Sequence, residues 1–217
     1  MPIRLDHLMW GAPSLQSGTE AARRLFDPTP APGGVHPGLA TCNALLSLGD
    51  DQYLEVIAPD RAQELAGTLG ARLATLEAPG LVTWAAACAD LDAVASAAVG
   101  ASLTVRGPVL TQRQTPDGNM LRWRLLFLGG HAFGGLVPFF IDWMDTPHPA
   151  RTNPVAGRLL GLDVRTPDAD GLNTLYASLG IDLRASRAVA PALAARIERG
   201  GRTVVLQNAH GAERWSL

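Results

Sequence analysis

Three times along the chain the apolar positions pass from strand-like to helical spacing. Residues 5–12 read as a strand, and after Pro13-Ser14 the residues Leu15, Ala22, Leu25 and Phe26 fall on one helical face. Ser14 is placed to cap that helix, and Asp27-Pro28 ends it because proline has no amide hydrogen to continue the ladder. The second occurrence has a strand over 82–88, Asp90 as cap, a stripe of Leu91, Val94, Ala95 and Ala98, and Gly100 as the terminating glycine. The third has a strand over 160–165, Asp168 as cap, a stripe of Leu172, Leu175, Tyr176 and Leu179, and Gly180 at its end. One supersecondary pattern used repeatedly predicts repeated units.

More strands follow the first two helices. The spacing predicts strands over 41–48 and 52–57 around a Gly49-Asp50-Asp51 hairpin turn, and then over 103–106, 111–114, 121–128 and 138–143. Pro116-Asp117-Gly118-Asn119 reads as the turn between two of these. Residues 59–76 read as a helix with Leu65, Leu69, Leu73 and Leu76 on one face. The last unit reads as extended chain over 182–189, a helix over 191–199 with Pro191 at its first position, and a strand over 202–207. The expected fold is therefore α+β. It has βαβββ modules over 1–58 and 81–150, a helical linker over 59–80 and a partial βαβ module over 151–217.

Composition narrows the chemistry. A 217-residue chain that is 47% hydrophobic with net charge −2 describes a globular protein with no surplus of positive charge, so nucleic acid and anionic membrane are not expected partners. Arg4 and Asp6 interrupt the N-terminal apolar stretch, and no run reaches the length of a membrane span, so a cytoplasmic location is expected. All basic residues are arginine, which excludes Schiff-base catalysis, pyridoxal attachment and a P-loop, each of which needs a lysine amine. Gly-x-Ser-x-Gly and Gly-x-Gly-x-x-Gly motifs are absent, which disfavours hydrolase elbows and Rossmann cofactors. Cys42 and Cys88 lie in apolar predicted strands and read as small buried hydrophobes.

Candidate chemistry gathers on strands. Asp6-His7 lies on the opening strand and Glu55 on the strand that closes the first module, and imidazole and carboxylate are the usual ligands of Zn, Mn, Fe or Ni. Successive strand residues face opposite sides, so one of Asp6 and His7 is expected to enter a cup; if Leu5, His7 and Met9 face inward, it is His7. Glu55, between Leu54 and Val56, needs a partner if it faces a core. Asp142 suits either a ligand or a turn-capping role. His36 and His148 each precede proline, which holds them extended, either closing over a cavity or as ordinary loop residues. His131 sits in a glycine-dense connection that reads as a lid. Arg122 and Arg124 share one strand face and Leu121, Trp123 and Leu125 the other. An inward arginine face would bind a carboxylate or phosphate, an outward one would serve solubility, and Arg106 is a third residue of this kind.

Leu5-Asp6-His7, Tyr53-Leu54-Glu55, the segment from His36-Pro37-Gly38 through Thr41-Cys42-Asn43, the Leu48-Gly49 turn, and Pro138-Phe139-Phe140-Ile141-Asp142-Trp143 followed by His148-Pro149 together resemble the vicinal oxygen chelate superfamily. Within it they resemble the glyoxalase-like domain proteins, over about residues 3–150. The resemblance implies paired half-barrels around a cup in which a divalent metal (Zn, Mn, Fe or Ni) is chelated by residues of the first and last strands of each module. His7 and Glu55 stand at the first module's positions and Asp142 at one of the second's, while Trp84 takes the other and cannot ligate. The implied activity is a metal-dependent lyase or isomerase on a small oxygenated metabolite, with Glu55 or Asp142 moving a proton and His36, Trp84, Arg122 and Arg124 contacting substrate. A homodimer is implied by the same analogy. The alternative is a metal-free binding protein in which Trp10, Trp84, Phe139, Phe140 and Trp143 grip a ring.

Overall fold

The two halves that repeat in sequence build one sheet between them. The computed structural model describes residues 3–114, 120–210 and Trp215. Its first half runs β1 (Arg4–Gly11), α1 (Leu15–Phe26), β2 (Ala31–His36), β3 (Thr41–Ser47) and β4 (Tyr53–Pro59). After a short α2 (Leu69–Leu73) the second half runs β5 (Gly80–Ala87), α3 (Leu91–Gly100), β6 (Thr104–Gln114), β7 (Met120–Gly129) and β8 (Phe139–Asp142). The strand order is β2-β3-β4-β1-β5-β8-β7-β6, so each half contributes four strands in mirrored order. The halves meet at the antiparallel β1–β5 pair. Within each half the outer strands of the module pair in parallel, β1 with β4 and β5 with β8. The result is a curled eight-stranded half-barrel.

Side-chain alternation gives this sheet two apolar faces. Leu8, Trp10, Leu54, Val56, Trp84, Phe140 and Leu126 enter the main core beneath α1 and α3. Each such fully buried side chain contributes about 1.5–3 kcal/mol. Ser14 caps α1, its hydroxyl accepting from the Ser17 amide, and Asp90 caps α3 in the same way through Ala93. The remaining chain forms β9 (Arg158–Thr166), α4 (Ala169–Ser178), β10 (Ala185–Arg187), β11 (Ala192–Arg199) and β12 (Arg202–Gln207), a second sheet of order β10-β9-β11-β12. Its Leu162, Val164, Leu193, Ile197 and Leu206 join the same core, so this unit backs the half-barrel on its outer face. The inner face is left to line a cavity.

Four local expectations change. Residues 192–199 form a strand rather than a helix, because β11 is central in its sheet, paired on both edges, and its Leu193, Ala195 and Ile197 alternate into the core. Gly200-Gly201, both in the left-handed region, make the tight turn into β12. The linker over 59–76 holds only the five-residue α2; its leucines turn inward from loop as well as helix, with Leu73 and Leu76 packed under the inner face. The Pro- and Gly-rich segment before Thr41 pairs as edge strand β2, where proline is tolerated. Segments 103–106 and 111–114 are one strand, β6, interrupted by a bulge. The turn expected over 116–119 lies outside the described residues. Among the described residues no helix is long and apolar enough to cross a membrane.

Candidate active site

A cavity of about 540 Å³ opens on the inner face of the half-barrel. His7, Tyr53 and Glu55 lie on its floor, Trp123, Phe127, Phe139 and Trp143 form one wall, and His36, Pro37 and Gly38 stand at its rim side. This volume lies within the range of small-molecule sites. Alternation explains the floor: on β4, Tyr53, Glu55 and Ile57 face the cavity while Leu54 and Val56 face the core.

His7 is held from three sides. Tyr53, its register partner on β4, stacks on the imidazole at 4.4 Å, and Phe139 meets it edge-on at 5.4 Å. The third contact departs from strict alternation. A bulge between Leu5 and His7 gives β1 one residue more than β5, which brings the Asp6 carboxylate against its own neighbour. Asp6 Oδ1 lies 2.6 Å from His7 Nδ1. Both residues are buried, and of the two only His7 lines the cavity; Asp6 reaches the imidazole from behind through this bulge.

Asp6 is the hub of a buried polar cluster. Its Oδ2 accepts from Trp143 Nε1 at 3.0 Å and from His148 Nε2 at 3.2 Å. Burial alone would raise the Asp6 pKa, but the hydrogen bonds from His148 and His7 and the charges of both rings outweigh it and hold the carboxyl at about 2. An ionised carboxylate only accepts, which assigns the protons: His7 carries its hydrogen on Nδ1 and His148 on Nε2. His148 Nδ1 is then free to accept from the Ala150 amide, as it does at 3.2 Å. His7 Nε2 is the atom left facing the cavity, 3.7 Å from Glu55 Oε2.

Glu55 is oriented from its other oxygen. Asn43 Nδ2 donates to Glu55 Oε1 at 2.7 Å and lies 3.4 Å from His36 Nε2, while His36 Nδ1 meets Thr41 Oγ1 at 2.9 Å. Gly33 keeps Asn43 in place, because a Cβ there would collide with the Asn43 amide oxygen. The chain Asp6–His7–Glu55–Asn43–His36 thus joins a proton-bearing imidazole and a carboxylate side by side on the cavity floor. Such a pair can take a proton from one atom of a ligand and stabilise charge on the next.

The sequence candidates divide by sheet face. His7, Glu55 and His36 are brought together at the cavity. Asp142 is not: it lies on the outer face, where it accepts from Arg124 at 2.7 Å and from the Met144 amide. Its neighbours Phe139 and Ile141 take the inner face. The set His7, Glu55 and Asp142 is therefore not assembled, and among the described residues no group of three or more His, Cys, Asp and Glu converges as metal ligands. His7, Glu55 and His36 line the cavity without converging on one point, so the described residues do not fit a three-ligand metal centre.

Arg122 and Arg124 also take the outer face, the side opposite Trp123, Leu125 and Phe127, so neither lines the cavity. Trp84 is core: its indole N–H donates to the Leu136 carbonyl and its ring meets Tyr176 edge-on. Trp10 and Phe140 are core as well, whereas Phe139 and Trp143 line the cavity. In the glycine-dense connection near His131, Gly134 to Leu136 are buried while Gly130 and Ala132 are exposed. Sequence reasoning missed Asp6, Tyr53, Asn43 and Arg72. Asp6 and Asn43 lay inside the quoted motifs, but nothing in strand periodicity marks a bulge.

The glyoxalase-like domain model matches residues 5–180. Among proteins of curated function none matches. Among solved structures, a hypothetical protein from Staphylococcus aureus is similar over 96% of this chain and 86% of its own, with 17% identity and a TM-score of 0.67. A methylmalonyl-CoA epimerase variant from Streptomyces coelicolor, in complex with 2-nitronate-propionyl-CoA, is similar over 69% of this chain and all of its own (100%), with 20% identity and a TM-score of 0.50. A hypothetical protein from Bacillus halodurans gives 12% identity and a TM-score of 0.50 over 67% of this chain and 97% of its own. These likenesses concern the fold, and the match over 5–180 concerns the sequence itself. The chain belongs to the glyoxalase-like domain family of the vicinal oxygen chelate superfamily.

Proposed function

We propose that the protein is a proton-transfer enzyme of the isomerase or lyase type, acting on a small oxygenated metabolite held in the cavity. The observation that carries this reading is the Asp6–His7–Glu55 arrangement, with His7 Nε2 and Glu55 Oε2 3.7 Å apart on the cavity floor. Glu55 takes a proton from the carbon next to a carbonyl, the C–H electron pair moves into the carbonyl as an enolate, and His7 in its doubly protonated form, with Nδ1–H held by Asp6, donates Nε2–H to the developing oxygen charge. Asp6 positions His7 by holding its Nδ1 hydrogen. Return of the proton to the same carbon gives epimerisation, and return to a neighbouring atom gives isomerisation. A metal, which the family implies, would find His7 Nε2 and Glu55 as its protein donors among the described residues, and no step above is routed through one. The Streptomyces coelicolor neighbour is named an epimerase, an activity of the same proton-moving kind.

The test is solvent deuterium incorporation, followed by proton NMR, into a panel of 2-oxo acids and acyl thioesters including methylmalonyl-CoA. The expected result is exchange in the wild type, lost by about 10²-fold or more in Glu55→Gln. Exchange unaffected by Glu55→Gln, or no exchange in any panel member, refutes the reading. The assay repeated after chelation and after restoring Zn, Mn, Fe or Ni measures metal dependence. Binding that survives chelation without exchange supports the second reading, a binding protein, which the aromatic wall of Trp123, Phe127, Phe139 and Trp143 favours.

A further inference from the structure

The charges at the cavity differ in balance from those of the chain. The protein has 18 basic and 20 acidic residues. Among the described residues that line the cavity, Arg72 and Arg106 face a single carboxylate, Glu55. A cleft with a surplus of one sign and low-dielectric walls concentrates ligands of the other.

Arg106 owes its place to a second bulge. β6 pairs Arg106 with Phe127 and Val109 with Leu125, so β6 carries one extra residue between them. In a regular strand Arg106 would face away from Val109 and Thr111; the extra residue puts all three on the cavity side. The Arg106 guanidinium lies over the Phe127 ring at 4.4 Å. Stacking uses the face of the guanidinium and leaves its N–H edge for a planar anion. Phe127 stacks on Phe139 at 5.6 Å, and Phe139 meets His7 at 5.4 Å. These three steps of 4.4, 5.6 and 5.4 Å put the guanidinium within about 15 Å of the imidazole, at the far end of an aromatic wall. Arg72 lies 4.9 Å from the Trp215 ring and lines the same cavity.

We propose that Arg106, assisted by Arg72, is an anion subsite, and that the cavity takes organic carboxylates whose apolar body lies along Phe127 and Phe139. The N–H edge of one guanidinium, Arg106, matches the two oxygens of a carboxylate. Placing the reacting carbon at Glu55 rests on the proton-transfer reading; the anion subsite itself does not.

The test is calorimetry with phenylacetate and its neutral analogue phenethyl alcohol. The wild type is expected to bind the acid about 10-fold more tightly than the alcohol. Arg106→Gln removes most of that preference with alcohol binding unchanged, and Arg106→Lys restores part of it. Arg106 is exposed, so the melting temperature of Arg106→Gln stays at the wild-type value and serves as the folding control. Glu55→Gln keeps or tightens acid binding while losing deuterium exchange, which separates failure of this subsite from failure of the catalytic reading. Equal affinity for acid and alcohol, a preference unchanged in Arg106→Gln, or no acid binding up to about 10 mM overturns the proposal.

Discussion

Asp6→Asn is the sharpest perturbation of the site, because it changes one atom type and leaves the volume alone. Three donors converge on Asp6: His7 Nδ1, Trp143 Nε1 and His148 Nε2. An amide offers one acceptor oxygen and one donor nitrogen, so either a donor meets another donor or His7 must move its hydrogen from Nδ1 to Nε2, giving up the present tautomer. Leaving a buried donor unpaired costs about 1–3 kcal/mol. The lost charge gives a second measure of the same interaction. Asp6 is 1% exposed and its pKa falls from 3.8 to about 2, which is on the order of 2–3 kcal/mol. The expected loss at pH 7 is therefore about 2–4 kcal/mol, a fall in Tm of about 5–12 °C for a chain of this size.

The pH dependence has a definite sign. The folded pKa lies below the unfolded one, so the unfolded chain binds more protons between them and stability rises with pH through that window. The stabilisation from Asp6 is complete above about pH 5, about half gone at pH 3, and lost as pH falls through 2. Urea denaturation of wild type and Asp6→Asn from pH 7 to pH 3 should show a gap that is constant at first and then narrows. A gap below about 1 kcal/mol at pH 7, or one that does not narrow by pH 3, refutes the account of Asp6 as an ionised hub.

Other substitutions separate the cavity from the core. Glu55→Gln keeps an oxygen for Asn43 Nδ2 and should change stability by less than about 1 kcal/mol in urea titration while abolishing deuterium exchange. Trp84→Phe removes the hydrogen bond to Leu136 and some ring volume, and should cost about 1–3 kcal/mol with exchange per folded molecule unchanged. Gly33→Ala drives a Cβ into the Asn43 amide, so it should lower exchange by releasing Glu55, and lower Tm through overpacking of about 1–3 kcal/mol. Arg124→Gln breaks a half-exposed pair with Asp142 on the outer face, and should cost under about 1 kcal/mol and leave phenylacetate affinity at the wild-type value.

The repeat of strand and helix was legible because capping residues and apolar stripes are local signals. Ser14, Asp90 and Asp168 each cap the helix they were expected to cap. Residues 192–199 misled for the opposite reason: Ala, Arg and Glu favour helix locally, and only pairing with β9 and β12 makes a strand of them. The site depends on something less local still. Period-two reading puts Asp6 opposite His7, and puts Arg106 opposite Val109 and Thr111. Each time, one unpaired residue reverses the parity: Asp6 is brought against the buried side of His7, and Arg106 is brought to the cavity face. No residue type encodes such a bulge at Asp6, whose neighbours are ordinary strand formers. What holds it is tertiary: without the bulge the Asp6 carboxylate would not meet the three donors that keep it ionised, and a buried charge without partners is far costlier than one residue missing from a ladder. It follows that Asp6→Leu should relax the bulge itself. Amide protection measured by hydrogen exchange along β1 and β5 should then differ from that of Asp6→Asn, which keeps hydrogen bonds enough to retain it. Identical protection patterns in the two variants would mean that the backbone, not the buried carboxylate, dictates the irregularity.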